Sequence, residues 1–202
     1  GEFFSSESIN AIADRVVRES IQNSLDARSS EDVSLRMRFA IGEAKESESR
    51  TLFQSFWEHF KACDKAESKL ESKAKYRYLV VEDFNTTGLK GDPGEVWPDD
   101  TTGKDFFCFL RAEGISGKTG LNHGNWGVGK YTFLGLSGVN TSFVYTVREK
   151  DSEPGGKGPL LMGTASLQNH RLDEEVFTPD GWFGVPMTTD NDLDYYYPFG
   201  HY

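Results

Sequence analysis

Between Ser6 and about Arg28, apolar side chains return at three- and four-residue spacing: Ile9, Ile12, Ala13, Val16, Val17 and then the small Ser20. That period defines an amphipathic helix, which must bury its stripe against other elements. Beside the stripe, Glu19, Asn23 and Asp26 follow at i, i+4 and i+7, so they stack in a second line. Asn offers a neutral oxygen to a hard cation, and Glu one turn away can take a proton from an attacking water. A plain polar margin is the alternative, and the helix taken alone favours it. The rest of the chain shifts the balance.

Composition narrows the classes. The chain has 202 residues, enough for one large domain with a sizeable core. Its net charge of −10 argues against this piece gripping a nucleic-acid backbone by itself, because such binding uses clustered Lys and Arg. Any DNA contact is therefore expected through another domain. Two cysteines, Cys63 and Cys108, sit in apolar company. This favours buried thiols in a reducing cytosol, and so a cytoplasmic protein, while leaving a disulfide open. No run approaches a membrane span and no signal peptide is evident, so no membrane partner is expected. A chain that starts at Gly and stops at Tyr202 after an aromatic stretch reads as a piece of a longer protein.

Further along, Val33, Leu35, Met37, Phe39 and Ile41 alternate with polar residues, which predicts a half-buried strand over Asp32–Ile41. Leu52, Phe53, Phe56, Trp57, Phe60 and Cys63 predict a second amphipathic helix. Asp64–Lys75 reads as solvated surface. Tyr76–Val81 is a short apolar run, read as a buried strand, and it leads into Glu82-Asp83-Phe84-Asn85-Thr86-Thr87-Gly88-Leu89. Acid, small polar residues and Gly after a strand are a common ligand-contact pattern. Lys90–Thr102 reads as a loop, and Phe106–Leu110 as helix or strand. Lys130–Leu136 suits a helix, Thr141–Val147 and Leu160–Leu167 suit strands, and the tail from Asp173 has no clear period.

Six glycines fall between Gly114 and Gly129. Glycine lets backbone amides turn toward an anion, and a helix N-terminus following them adds a favourable field. Trp126 and Val128 would be wasted as anchors in a free loop. Two nucleotide sites compete for this stretch. A P-loop needs a strand, Gly-x-x-x-x-Gly-Lys-Ser/Thr, then a helix. Ala112 to Thr119 matches a relaxed form, with Gly117-Lys118-Thr119 at its end, but loop follows instead of helix.

The other reading uses three stretches in order: Glu19-x-x-x-Asn23-x-x-Asp26-Ala27, Asp83-x-x-x-x-Gly88-Leu89, and Gly124-x-x-Gly127-x-Gly129. Together they resemble the GHKL ATPases (gyrase, the ninety-kilodalton heat-shock chaperone, histidine kinases and MutL) over roughly the first two thirds of the chain. The Gly-Asn-Trp-Gly-Val-Gly-Lys stretch looks closest to the chaperone and MORC branches. The resemblance implies an α+β Bergerat fold: a two-layer sandwich, helices on one face of a mixed, mostly antiparallel sheet, with a glycine-rich lid over ATP. Residues 1–202 would then form a single ATP-binding domain.

Under this resemblance Asn23 holds Mg2+ bridging the phosphates of ATP, and Glu19 is the general base or water-orienting group. Asp83 accepts from the adenine amino group, with Asn85, Thr87, Gly88 and Leu89 around the base. Asp26 and Ala27 support the adenine side. Gly124, Trp126, Gly127, Val128 and Gly129 form the lid, Lys118 and Lys130 contact phosphate, and Thr164 of Gly163-Thr164 closes the site from a strand. Glu19 and Asp26-Ala27 point to hydrolysis and not to transfer onto a protein histidine; His59, His123, His170 and His201 lack a phosphoacceptor setting. The chain departs from the family in having Asn85 at the first Gly position and one extra residue before Gly88. The stretch Tyr78–Asp92 is similar to bacterial ATP-binding proteins of DNA metabolism and phage defence. The expected function is magnesium-dependent ATP hydrolysis, with ATP/ADP as ligands, slow in the isolated chain. Lid closure or dimerisation would drive a downstream domain, through a homodimer or larger assembly of the longer protein. A nucleotide-responsive module without turnover is the runner-up.

Overall fold

The computed structural model describes residues 6–45, 47, 53–63, 75–112, 129–149, 158–188 and 194–200. The chain is α+β, with antiparallel sheets and a few helices, and it divides into two compact units. The first unit takes in residues 1–35, 85–165 and 182–202, and the second residues 36–84 and 166–181. Among the described residues, no helix is long and apolar enough to cross a membrane.

The first unit opens with helix α1, Ser6–Asp26. It packs on a second helix of the same unit, Gly129–Leu136. The line of α1 that is buried is Val16, Ser20 and Ser24 at four-residue steps. Two serines in that line let the helices approach closely, and Ser20 Oγ satisfies itself by donating to Val16 O at 2.6 Å. This corrects the expected stripe in part. Ala13 and Val17 lie outside the buried line, and Val17, Ile21 and Leu25 form an apolar line of their own, 41–49 % exposed.

Strand β3, Thr141–Thr146, pairs antiparallel with β4, Leu160–Ser166, in the register Thr141↔Ala165 to Thr146↔Leu160. The short β10, Phe199–Gly200, pairs with β4, and so does β7, Asp180–Phe183. Beside this sheet Val185–Thr188 and Asp194–Tyr197 form a separate hairpin, β8–β9. The core is Phe106, Leu110, Leu160 and Met162, with Leu89, Phe109, Val144, Trp182 and Tyr196 packed against it. Residues Phe107–Arg111 form a π-helical turn closed by Ala112 N–H donating to Phe107 O at 2.9 Å. The wider turn sends Phe106 and Leu110 into this core while Phe107, Cys108 and Ala112 form a second cluster. Arg111 anchors the turn: its Nη2 donates to Pro93 O and Tyr196 O, and its guanidinium lies 5.7 Å from the Trp182 ring. Burial lowers its pKa, against the opposing charge of Tyr195.

In the second unit β1, Arg36–Lys45, and β2, Lys75–Phe84, pair antiparallel along their whole length. Helix α2, Gln54–Ala62, carries the ring cluster Phe53, Phe56, Trp57 and Phe60, and Trp57 reaches Tyr76 of β2 at 5.9 Å. Tyr76 is opposite Ala44, and Tyr78 is opposite Gly42 with its ring over that glycine. Tyr76 and Tyr78 of β2 thus lie opposite small residues of β1, and Ala40, Gly42 and Ala44 are half-buried. The other face of β1 carries Phe39 and Ile41, which are exposed, Ile41 to 79 %. From Phe39 on, the expected inward parity of β1 is thus reversed, whereas Met37 is half-buried as expected; the strand starts at Arg36, not Asp32, and runs four residues further than Ile41. β2 likewise is not the fully buried strand the apolar run suggests, since Tyr78 and Leu79 are exposed. Both cysteines are buried free thiols.

In the first unit, a turn at Asn85–Gly88 precedes Leu89 of the core. Gly88 has φ +67°, and a Cβ there would fall 2.5 Å from Val147 O and 2.9 Å from Thr146 Oγ1. Gly103, at φ +69°, has nothing within 4 Å. Gly88→Ala is expected to lower stability by about 3 kcal/mol, from left-handed strain plus a backbone clash. Gly103→Ala should cost only about 1 kcal/mol. Urea midpoints of the two variants check the difference.

Candidate functional site

At 100° per residue, Asn23, Glu19 and Asp26 lie on one flank of the buried Val16-Ser20-Ser24 line of α1. Val17, Ile21 and Leu25 lie on the opposite flank. Glu19 and Asn23 are half-buried on successive turns, and Asp26 is exposed and accepts from Gln22 Nε2 at 2.8 Å. The expected pairing of an amide with a carboxylate on one helix edge therefore stands as geometry, with Asp26 held on the surface side.

The end of α1 is fastened to a segment almost 60 residues away. Ala27 N–H closes the last turn on Asn23 O at 3.0 Å, and Ala27 O accepts from Thr87 N–H at 2.8 Å. Ser29 donates to Asn85 O twice, from N at 3.0 Å and from Oγ at 2.8 Å. Arg28 and Thr86 form an antiparallel bridge between them. Two of the three stretches singled out in the sequence, Asp26-Ala27 and Asn85–Leu89, are thus joined backbone to backbone.

Asn85 has φ +69° and its Nδ2 donates to Ser34 O at 2.8 Å. Asn is among the few residues that tolerate this conformation. On the far side, Leu89 N–H donates to Thr146 Oγ1 at 2.9 Å, and buried Arg148 donates from Nη1 to Gly91 O at 2.9 Å. Phe106 N–H donates to Lys90 O at 2.8 Å. Thr146 and Arg148 were not singled out in the sequence. A polar residue at the end of an apolar strand is the only signal they carry.

Two carboxyls and a thiol in the stretch that follows have pKa values shifted by their surroundings. Burial raises the Asp105 carboxyl, with Lys90 opposing. Burial, then Asp105, raises the Cys108 thiol, which disfavours a thiolate nucleophile there. Asp100, at the surface, is lowered by hydrogen bonds from Thr102 N–H and Oγ1.

The remaining expected residues fall as follows. Thr164 is buried on β4 opposite Ser142, and Gly163 fits between the Phe143 and Phe183 rings. Gly129 and Lys130 form the first turn of the second helix of this unit, α3, Gly129–Leu136, as expected from the sequence. Asp83 lies in the second unit, exposed near the end of β2 opposite Met37. Lys118, Gly124, Trp126, Gly127 and Val128 lie outside the described residues. Among the described residues, no group of three His, Cys, Asp or Glu side chains is placed to hold a metal. Ala112 ends a π-helical turn, whereas the P-loop reading requires a strand before it. No family model, curated protein or solved structure matches the chain.

Thr146→Val, nearly isosteric, is expected to leave the Leu89 amide unpaired and to cost about 1–3 kcal/mol. Faster hydrogen exchange at Leu89, with lowered urea stability, is the measurement.

Proposed function

We propose that the chain is the nucleotide-binding domain of a GHKL-type ATPase with a Bergerat fold, binding magnesium-ATP and hydrolysing it. The observation that carries this reading is the junction of Ala27 with Thr87, which brings the end of the Glu19–Asn23 helix to the turn expected around adenine. Residues far apart in sequence and assigned to one nucleotide are neighbours through main-chain hydrogen bonds. The left-handed Asn85 and Gly88 further support a turn shaped for close backbone approach.

In this reading Asn23 holds the magnesium and Glu19, one turn earlier, orients or deprotonates water. Hydrolysis needs in-line positioning and charge stabilisation more than covalent chemistry, and the residue types suit that task. The first turn of α3 and the glycine stretch before it supply amides for the phosphates. Asp83 is assigned to the adenine amino group. Thr164, buried on β4, is assigned as the closing contact. Ordering of the glycine stretch on ATP would transmit closure to a downstream domain or a second copy. The association with DNA metabolism or phage defence rests on the Tyr78–Asp92 resemblance alone.

Glu19→Ala in the full-length protein is expected to retain ATP binding and lose turnover by about 10²–10⁴-fold. Asn23→Ala is expected to abolish the magnesium dependence of binding. Steady-state phosphate release by Glu19→Ala at the wild-type rate would remove Glu19 from the mechanism.

A further inference from the structure

His59 on α2 and His170, which opens strand β5, His170–Leu172, meet inside the second unit. His59 Nδ1 and His170 Nε2 are 2.8 Å apart, and the other nitrogen of His170, Nδ1, lies 2.7 Å from Gln168 O. A carbonyl only accepts, so His170 Nδ1 carries the proton. In neutral His170 the Nε2 lone pair must then be the acceptor, and His59 Nδ1–H the donor. The carbonyl of Gln168 thereby sets the tautomer of both rings.

His59 is half-buried. His170 is buried. Phe177, opposite it on β6, Glu175–Phe177, stacks on its ring at 5.5 Å and meets His59 edge-on at 4.5 Å. Cys63 Sγ lies 3.3 Å from His59 O and 3.8 Å from Gln168 O. β5 and β6 have three residues each and pair with each other. A hairpin that short is marginal by itself in water and depends on what it packs against.

We propose that the His59–His170 hydrogen bond is an acid-released latch fastening the β5–β6 hairpin to α2. A first proton enters at His59 Nε2 and leaves the bond in place. A proton on His170 Nε2, the accepting atom, would break it by setting two N–H groups face to face. The charged groups on the elements that meet here are Glu58 and Lys61 on α2, Arg171 on β5 and Glu175 on β6. By strand alternation Glu175 shares the His170 side of the hairpin and Arg171 takes the other.

Burial, then His170, lowers the pKa of His59, and Glu58 opposes them. The folded pKa lies below the unfolded value of 6.5. The stability contributed by neutral His59 is therefore complete above 6.5 and is lost as pH falls below it towards the folded pKa.

The test is amide exchange of the β5–β6 hairpin in the whole chain, corrected for the intrinsic rate. Between about pH 7.5 and about pH 5.5, the hairpin opening constant is expected to rise by up to roughly tenfold, the limit for one linked proton. His59→Gln keeps a donor and does not titrate, so its rise should be smaller. An equal rise in His59→Gln, or no rise in the wild type, overturns the latch. Nitrogen-15 NMR of the wild-type imidazoles needs no variant: His170 protonated at Nδ1 near neutral pH supports the latch, and protonation at Nε2 overturns it.

Discussion

The hydrogen bond from Thr87 N–H to Ala27 O, with its neighbours from Ser29 to Asn85, is the constraint on which the first unit is built. It fixes where α1 ends and where the chain enters the loop that leads to the core. Without it Asn85 and Gly88 would have no reason to hold a left-handed backbone. The turn is clamped on its other side by Thr146, and Gly88 is the residue that fits the gap left between them. A local failure there would loosen Leu89, which packs on the Phe106–Met162 core. Structural support and the proposed nucleotide site are therefore the same few residues.

The two faces of α1 divide the work. Serines at 20 and 24 give the helix a thin side that takes α3 closely, and the amide and acid at 23 and 19 lie along the edge of that contact. An edge half-shielded from water is where a carboxylate can be oriented while still reachable by a ligand. In the second unit the same economy of volume recurs. Gly42 makes room for the ring of Tyr78 opposite it, while the bulkier Phe39 and Ile41 face outward.

Much of this was legible in the sequence and some was not. The extents of α1, α2, α3, β3 and β4 follow from periodicity and apolar runs, because each has enough residues to repeat its pattern. The buried side of α1 was misassigned in part because pattern reading ranks Val17 and Ile21 above Ser20 and Ser24. Close helix packing reverses that order by favouring small side chains. Beyond Arg38 the parity of β1 departs from the expected one: alternation shows that two faces differ, and what packs on each decides which one is covered. The short strands after His170 left no period, since three or four residues cannot display one. Neither the joining of Ala27 to Thr87 nor the pairing of His59 with His170 had a local sequence signal.

The most direct test of the central claim is calorimetric titration of magnesium-ATP into this chain and into its Asp83→Asn variant, with folding checked by circular dichroism. The proposed ATPase site predicts saturable binding by the parent chain and its loss in the folded variant. Equal binding by both would take adenine away from Asp83 and contradict the assignment of the Glu19–Ala27 and Asp83–Leu89 stretches to one nucleotide.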